Sequence, residues 1–101
     1  MFESIDKKLE KIGFVKVYED KGNGHHVSED KYGVRYERYN EQFKYIQVLD
    51  IRHKKSGNHL IQSYQKDVNA DGFNNVVGLN YKEMKLAMKK YRQMKRRYGW
   101  K

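Results

Sequence analysis

The chain has 101 residues, the length of one domain, and it carries 22 lysines and arginines against 13 aspartates and glutamates, a formal net charge of +9. This excess of positive charge favours acidic partners over neutral ones. The absence of cysteine excludes disulfide frameworks, thiolate zinc sites and a cysteine nucleophile.

The residue pattern predicts neither a secretory signal nor a membrane span. Residues 1–6 include two acids and no apolar run, which is not typical of a secretory signal. No later segment approaches the roughly 20 apolar residues that a membrane span needs. We therefore expect one cytoplasmic domain over residues 1–101 that does not bind membranes.

The N-terminal segment predicts a short helix followed by a strand. Apolar residues recur at spacings of three and four, the pattern of one helical face: Phe2, Ile5, Leu9 and Ile12. Ser4 is suited to cap this helix and Gly13 to end it, so we predict a helix over residues 4–12. Residues 14–19 then place Val15 and Val17 in alternation with polar side chains, which predicts a half-buried strand.

The middle of the chain predicts an antiparallel meander. Residues 20–31 are polar and glycine-rich, include His25 and His26, and are expected to form a mobile loop. Residues 34–39 and 43–53 are rich in Tyr, Val and Ile and flank a short polar turn, the pattern of a hairpin. Residues 59–65 follow a second turn signal and predict a fourth strand. The strand over 43–53 has apolar residues on both faces, so we expect at least part of it to be covered on both sides.

The last element is the most clearly predicted helix. Asn80 and Glu83 have the spacing of a capping box, and residues 81–98 follow with helical apolar spacing. The side expected to dock on the sheet consists of Tyr81, Met84, Ala87, Met88, Tyr91, Met94 and Tyr98. The predicted fold class is α+β. An antiparallel meander of three to four strands is flanked by a short N-terminal helix and a long basic C-terminal helix, both packed on one sheet face.

Nearly all of the net charge lies in the last fifth of the chain. Residues 81–101 hold nine basic side chains and one acid, a net +8, whereas residues 1–80 hold 13 basic and 12 acidic side chains, a net +1. Like charges four residues apart, such as Lys85 and Lys89, disfavour a helix by about 0.2–0.5 kcal/mol a pair. A helix that keeps such charges is expected to bind an anion, and a phosphate backbone suits a linear basic face.

The leading hypothesis is a non-enzymatic accessory protein that binds nucleic acid. Its predicted phosphate contacts form one stripe of the last helix: Lys82, Lys85, Lys89, Arg92 and Arg96. The alternative is a protein-interaction module, or an inhibitor of host machinery, whose helix binds an acidic protein surface. A solvated helix face that only keeps the protein soluble explains the same charges. Membrane binding is disfavoured because the core needs the apolar side of this helix.

Metal, cofactor and catalytic sites are not predicted. Residues 67–72 (DVNADG) match the first half of a calcium loop, but Gly78 stands at the twelfth position, where a glutamate is needed, and a tight turn explains the same residues. His25 with His26, and His53 with His59, lack a third ligand at a defined spacing. The sequence also lacks a nucleophile paired with a base and a glycine-rich phosphate loop.

Three segments resemble small uncharacterised proteins of phages and prophages of Gram-positive bacteria: residues 32–40 (YGVRYERYN), 53–64 (HKKSGNHLIQSY) and 95–100 (KRRYGW). The similarity spans most of the chain and carries no catalytic residues. It implies a small accessory protein that acts on phage or host machinery.

Residues 78–85 (GLNYKEMK) are similar to the start of the second helix of double-stranded-RNA-binding domains, which also run helix, strands, helix. The analogy is one of architecture, because Leu86, Met88 and Tyr91 replace alanines typical of that helix. It implies that Lys82 and Lys85 contact phosphates across a groove.

Overall fold

The computed structural model shows a four-stranded antiparallel sheet with two helices, and it describes residues 3–19, 31–54, 59–66 and 75–100. The elements run α1 (Ile5–Lys11), β1 (Val15–Glu19), β2 (Lys31–Asn40), β3 (Tyr45–Lys54), β4 (His59–Gln65) and α2 (Tyr81–Tyr98). Each strand pairs with the next in the order β1-β2-β3-β4. The predicted α+β meander, with a short helix before it and a longer one after it, is therefore confirmed.

The helix ends follow the capping residues in the sequence. The Ser4 side chain accepts a hydrogen bond from the Lys7 amide at the start of α1. At the start of α2 the Asn80 side chain accepts from the Glu83 amide, and the Glu83 carboxylate accepts from the Asn80 amide. Gly99 ends α2 in the left-handed conformation (φ 67°), where the missing Cβ avoids strain. The hydrogen bonds of Ser4, Asn80 and Glu83 satisfy backbone amides that a helix start otherwise leaves unpaired.

The core lies between one sheet face and both helices. Its buried members come from α1, β2, β3, α2 and the short segments beside them: Leu9, Phe14, Val34, Tyr36, Leu49, Ile51, Leu86, Ala87, Tyr91, Met94 and Trp100. His53 at the end of β3 is also fully buried, stacks on Trp100 and has Nδ1 2.7 Å from the Tyr91 hydroxyl. Val48 and Asp50 are buried on the opposite sheet face, which confirms that part of β3 is covered on both sides.

Strand β1 is more exposed than the sequence predicts. The predicted strand is present, but Val15 and Val17 are 62% and 50% exposed, so the expected half-burial of the strand is wrong. The register between β1 and β2 shifts between Lys16 and Tyr18, and β1 is an edge strand of the sheet. Phe14, directly before the strand, enters the core instead of the valines.

A short segment after β4 pairs with this strand. Val76 forms an antiparallel bridge with Tyr64, the Gln65 amide donates to the Asn75 carbonyl, and the Val77 amide donates to the Ser63 carbonyl. The mobile loop predicted over residues 20–31 lies outside the described residues except for Lys31, which begins β2. The calcium-like segment 67–72 also lies outside them.

Candidate functional site

Helix α2 lies against the sheet with a different face from the predicted one. Its buried residues are Glu83, Leu86, Ala87, Lys90, Tyr91 and Met94. Tyr81 is 81% exposed and Met84 41% exposed, so their expected docking on the sheet is wrong. The buried face is rotated by somewhat less than one residue position around the helix. The rotation is stable because the body of the protein supplies partners for two charged side chains on the buried face, Glu83 and Lys90.

Lys90 is the cation that the rotation removes from solvent. Its side chain is 3% exposed, and its ammonium lies 3.1 Å from an Asp6 carboxylate oxygen and 3.8 Å from one of Glu19. Lys16 lies between the same two carboxylates, at 3.2 Å and 3.4 Å. The two lysines and two carboxylates, which we call the Lys90 cluster, balance in charge and join α1, β1 and α2. One of the nine cations counted on the C-terminal segment is therefore neutralised internally.

The carboxylates of the Lys90 cluster are stabilised in their ionised form. Burial alone would raise the pKa of Asp6, but hydrogen bonds from Tyr36 and Lys90 outweigh it, and the net shift is downward. Burial is likewise outweighed at Glu19, whose pKa is lowered by a hydrogen bond from Tyr98 and by the charges of Lys90 and Lys16. Protonating either carboxylate would therefore weaken the folded state.

We expect acid to destabilise the protein through this cluster. Because the pKa values of Asp6 and Glu19 are lower in the folded than in the unfolded chain, their stabilising contribution is full above about pH 5 and is lost as pH falls through the folded values. Urea unfolding followed by circular dichroism from about pH 7 to about pH 3 should show a falling free energy of unfolding. The fall should be shallower in Asp6→Asn than in Glu41→Gln, a control in the exposed β2–β3 turn. If the free energy of unfolding falls equally steeply with pH in the two variants, the acid sensitivity does not arise from Asp6.

The five predicted phosphate contacts lie together on the outer face of α2. Lys82, Lys85, Lys89, Arg92 and Arg96, the basic stripe, are all exposed. At 3.6 residues a turn they occupy an arc of about 80° and extend over about 21 Å from Lys82 to Arg96. None of them forms an ion pair with a carboxylate of the described residues. The Lys85 ammonium contacts the ring of Tyr81, 5.9 Å from its centroid, at the border of the stripe.

A groove between α1 and α2 continues the basic stripe onto the first helix. The groove is open, has a volume of about 390 Å³, and we call it the lysine groove. Its lining residues are Glu3, Lys8, Lys11, Ile12, Lys82, Lys85, Leu86 and Lys89. Five lysines and a single glutamate therefore border one concavity. The sequence prediction missed Lys8 and Lys11, although both follow from the helical spacing of α1, whose apolar face packs into the core.

Glu3 is the carboxylate of the lysine groove, and it already binds one of the lysines. Its side chain forms an ion pair with Lys11. The hydrogen bond from Lys11 lowers the pKa of Glu3, so the carboxylate is ionised at neutral pH. Lys8, by contrast, forms no ion pair with a described carboxylate. The groove thus has more positive charge than its own acid balances.

A second charged cluster lies on the sheet face opposite the helices. Arg35 makes two hydrogen bonds to Asp50, of 3.0 Å and 3.2 Å, and the Tyr64 hydroxyl donates to the same carboxylate at 2.6 Å. Burial and this hydrogen bond raise the pKa of Tyr64 to about 12. The Arg35 and Arg52 guanidinium groups both lie over the ring of Tyr18. These polar groups satisfy one another within the sheet, so the cluster is better suited to holding strands together than to binding a ligand.

Other kinds of site have little support in the part of the chain that the structure describes. No three His, Asp or Glu side chains among the described residues are grouped so that they could hold a metal ion. No helix in the described ranges has the length and apolar content of a membrane-crossing segment. His25 and His26 lie outside these ranges, and the side chain of His59 is not described.

Comparison with known proteins adds no relative. No protein-family model, curated protein or solved structure matches this chain. The resemblances to phage and prophage proteins and to double-stranded-RNA-binding domains therefore remain predictions from the sequence. Function has to be inferred from the geometry and charge of the basic stripe and the lysine groove.

Proposed function

We propose that the protein is a non-enzymatic accessory protein that binds nucleic acid, with the basic stripe lying along the phosphate backbone. The observation that carries this proposal is the arrangement of five exposed cations on one face of α2, without ion pairs to described carboxylates. A phage or prophage context belongs to the same proposal and rests on the sequence resemblance alone.

The dimensions of the stripe suit a nucleic-acid backbone. Phosphates of one strand are spaced about 3.4 Å apart along the helix axis, so a stripe of about 21 Å matches the rise of roughly six nucleotides. Each phosphate that a lysine or arginine neutralises releases bound counterions into solution. This release favours binding at low salt and weakens it as salt rises. No base-specific contact is needed, and we expect little dependence on nucleotide sequence.

Salt dependence tests the proposal directly. With five neutralised phosphates, the logarithm of the association constant should fall against the logarithm of salt concentration with a slope of about −4.5. The affinity should then fall several hundredfold between about 50 and 200 mM salt. Fluorescence anisotropy with labelled duplex DNA and duplex RNA of mixed sequence measures both quantities. Absence of binding to either duplex at about 50 mM salt would overturn the proposal. In that case, recovery of an acidic protein in a pull-down that depends on the stripe would favour the protein-interaction alternative.

A further inference from the structure

The lysine groove differs from the rest of the basic surface in its shape. The outer part of the stripe, at Arg92 and Arg96, is a convex helix face, whereas Lys82, Lys85 and Lys89 face Lys8 and Lys11 across a concavity. Cations from two helices therefore surround one volume. A ligand in that volume meets lysines of both helices, whereas a ligand at Arg92 and Arg96 meets cations of α2 alone.

We propose that the lysine groove is a discrete phosphate-binding site, in which the Glu3 carboxylate occupies the anion position on Lys11 until a phosphate displaces it. The inference deepens the proposed function and rests on it in one respect, since a phosphate of the bound strand is the expected ligand. The same chemistry would also accept a free polyphosphate, and the experiment below separates the two sources.

The side chains of the groove suit a multivalent oxyanion such as phosphate. Each lysine ammonium is a compact point charge with three donors, and phosphate has several acceptor oxygens pointing in different directions. Lysines from two helices can therefore each reach a different oxygen. The single carboxylate that borders the groove, Glu3, already binds Lys11, so one of these lysines is placed to bind an oxyanion. In chemical terms the Glu3 carboxylate stands in for the phosphate oxygens.

The charges of the lysine groove predict that Glu3 weakens phosphate binding by competing for Lys11. With five lysines and one glutamate, the groove has a net charge of +4 before a ligand binds. A phosphate that enters must compete with Glu3 for Lys11, whereas Lys8 is available without competition from described carboxylates. Removing the Glu3 charge should therefore tighten phosphate binding, and removing the Lys8 charge should weaken it.

The first experiment uses sodium tripolyphosphate as the probe and NMR chemical-shift titration of the full chain at low salt. Lys8→Gln should weaken binding about threefold to fivefold, the scale of one exposed ion pair. Lys95→Gln removes the same charge from α2 outside the groove and should weaken binding less than about twofold. Amide shifts in wild type should be largest around Lys8, Lys11 and Lys85.

A matched pair of acid variants tests the part of Glu3. Glu3→Gln should tighten tripolyphosphate binding about threefold, because the competing carboxylate is gone. Glu10→Gln, which changes the charge of an exposed glutamate of α1 that binds Lys7 and does not line the groove, should change the affinity by less than about 1.5-fold. If Glu3→Gln behaves like Glu10→Gln, or Lys8→Gln like Lys95→Gln, the groove is not a discrete site and the inference is overturned.

Duplex binding by the same four variants separates this inference from the proposed function. If the duplex affinities of the variants rank in the same order as their tripolyphosphate affinities, a strand phosphate enters the groove, as proposed. A second outcome is that wild type binds the duplex, that the two lysine variants bind it equally well, and that the two glutamate variants also bind it equally well. The proposed function then stands and the groove inference fails. If tripolyphosphate discriminates among the variants while no duplex binds at low salt, the groove inference stands for a free polyphosphate and the proposed function fails.

Discussion

Replacing Lys85, Arg92 and Arg96 with glutamine is expected to weaken duplex binding roughly 100-fold at about 0.1 M salt, while the protein remains folded. Each phosphate contact that is lost lowers the steepness of the salt dependence by about 0.9, so the triple variant should lose about 2.7 of the slope. Anisotropy titrations at several salt concentrations measure both the loss of affinity and the change of slope.

The triple variant should be about as stable as wild type. Pairs of like charge at Lys85 with Lys89 and at Arg92 with Arg96 are four residues apart on α2, and relieving each repulsion gains about 0.2–0.5 kcal/mol. The contact of Lys85 with the Tyr81 ring is lost, an exposed cation–π pair worth about 0.5–1 kcal/mol. These small terms nearly cancel, so thermal unfolding followed by circular dichroism should show a midpoint close to that of wild type.

A control with the same change of net charge shows whether the position of the charges matters. Lys7, Lys44 and Lys66 are exposed, lie outside α2 and do not line the lysine groove. Replacing all three with glutamine should weaken duplex binding less than about fivefold, the remainder being a general effect of net charge. If the control loses as much affinity as the stripe variant, the protein binds through its overall charge, and the basic stripe has no special role.

The sequence could predict the elements of this fold because their signals are local. The bounds of α2 and β4 agree with the prediction, since the Asn80 and Glu83 capping pair and the turn before β4 depend only on nearby residues. The ends of α1 are within one residue of the prediction, with Ser4 as the cap. The exposure of the basic stripe followed from helical spacing, which is also a local property.

The orientation of α2 could not be predicted because it depends on residues far away in the chain. Hydrophobicity alone would bury Tyr81 and Met84 and leave Lys90 in solvent. The structure does the reverse, because Asp6 and Glu19 pair with Lys90, and Arg38 pairs with Glu83 at 2.9 Å. The lysine groove was missed for the same reason, since it exists only when α1 and α2 lie side by side. Pairing across 45 or more residues leaves no pattern in a single sequence.

Lys90→Met is expected to destabilise the protein by about 2–3 kcal/mol, measured by urea unfolding at neutral pH. The variant leaves the carboxylates of Asp6 and Glu19 with Lys16 as their remaining lysine partner, and both are partly buried. The loss should be smaller than the 3–5 kcal/mol typical of a fully buried broken pair, because water still reaches Asp6. Asp6→Asn in the same background should cost less than it does in wild type, since the two groups stabilise each other.

Lys89 provides the matched control for Lys90, because Lys89 is exposed whereas the adjacent Lys90 is buried. Lys89→Met removes an exposed charge of the basic stripe and should change the free energy of unfolding by less than about 0.5 kcal/mol, yet it should weaken duplex binding. Lys90→Met should do the opposite, since its ammonium already binds Asp6 and is not available to a phosphate. Equal effects of the two substitutions on stability, or a loss of duplex affinity in folded Lys90→Met, would show that burial does not divide the cations of α2 into a structural and a binding set.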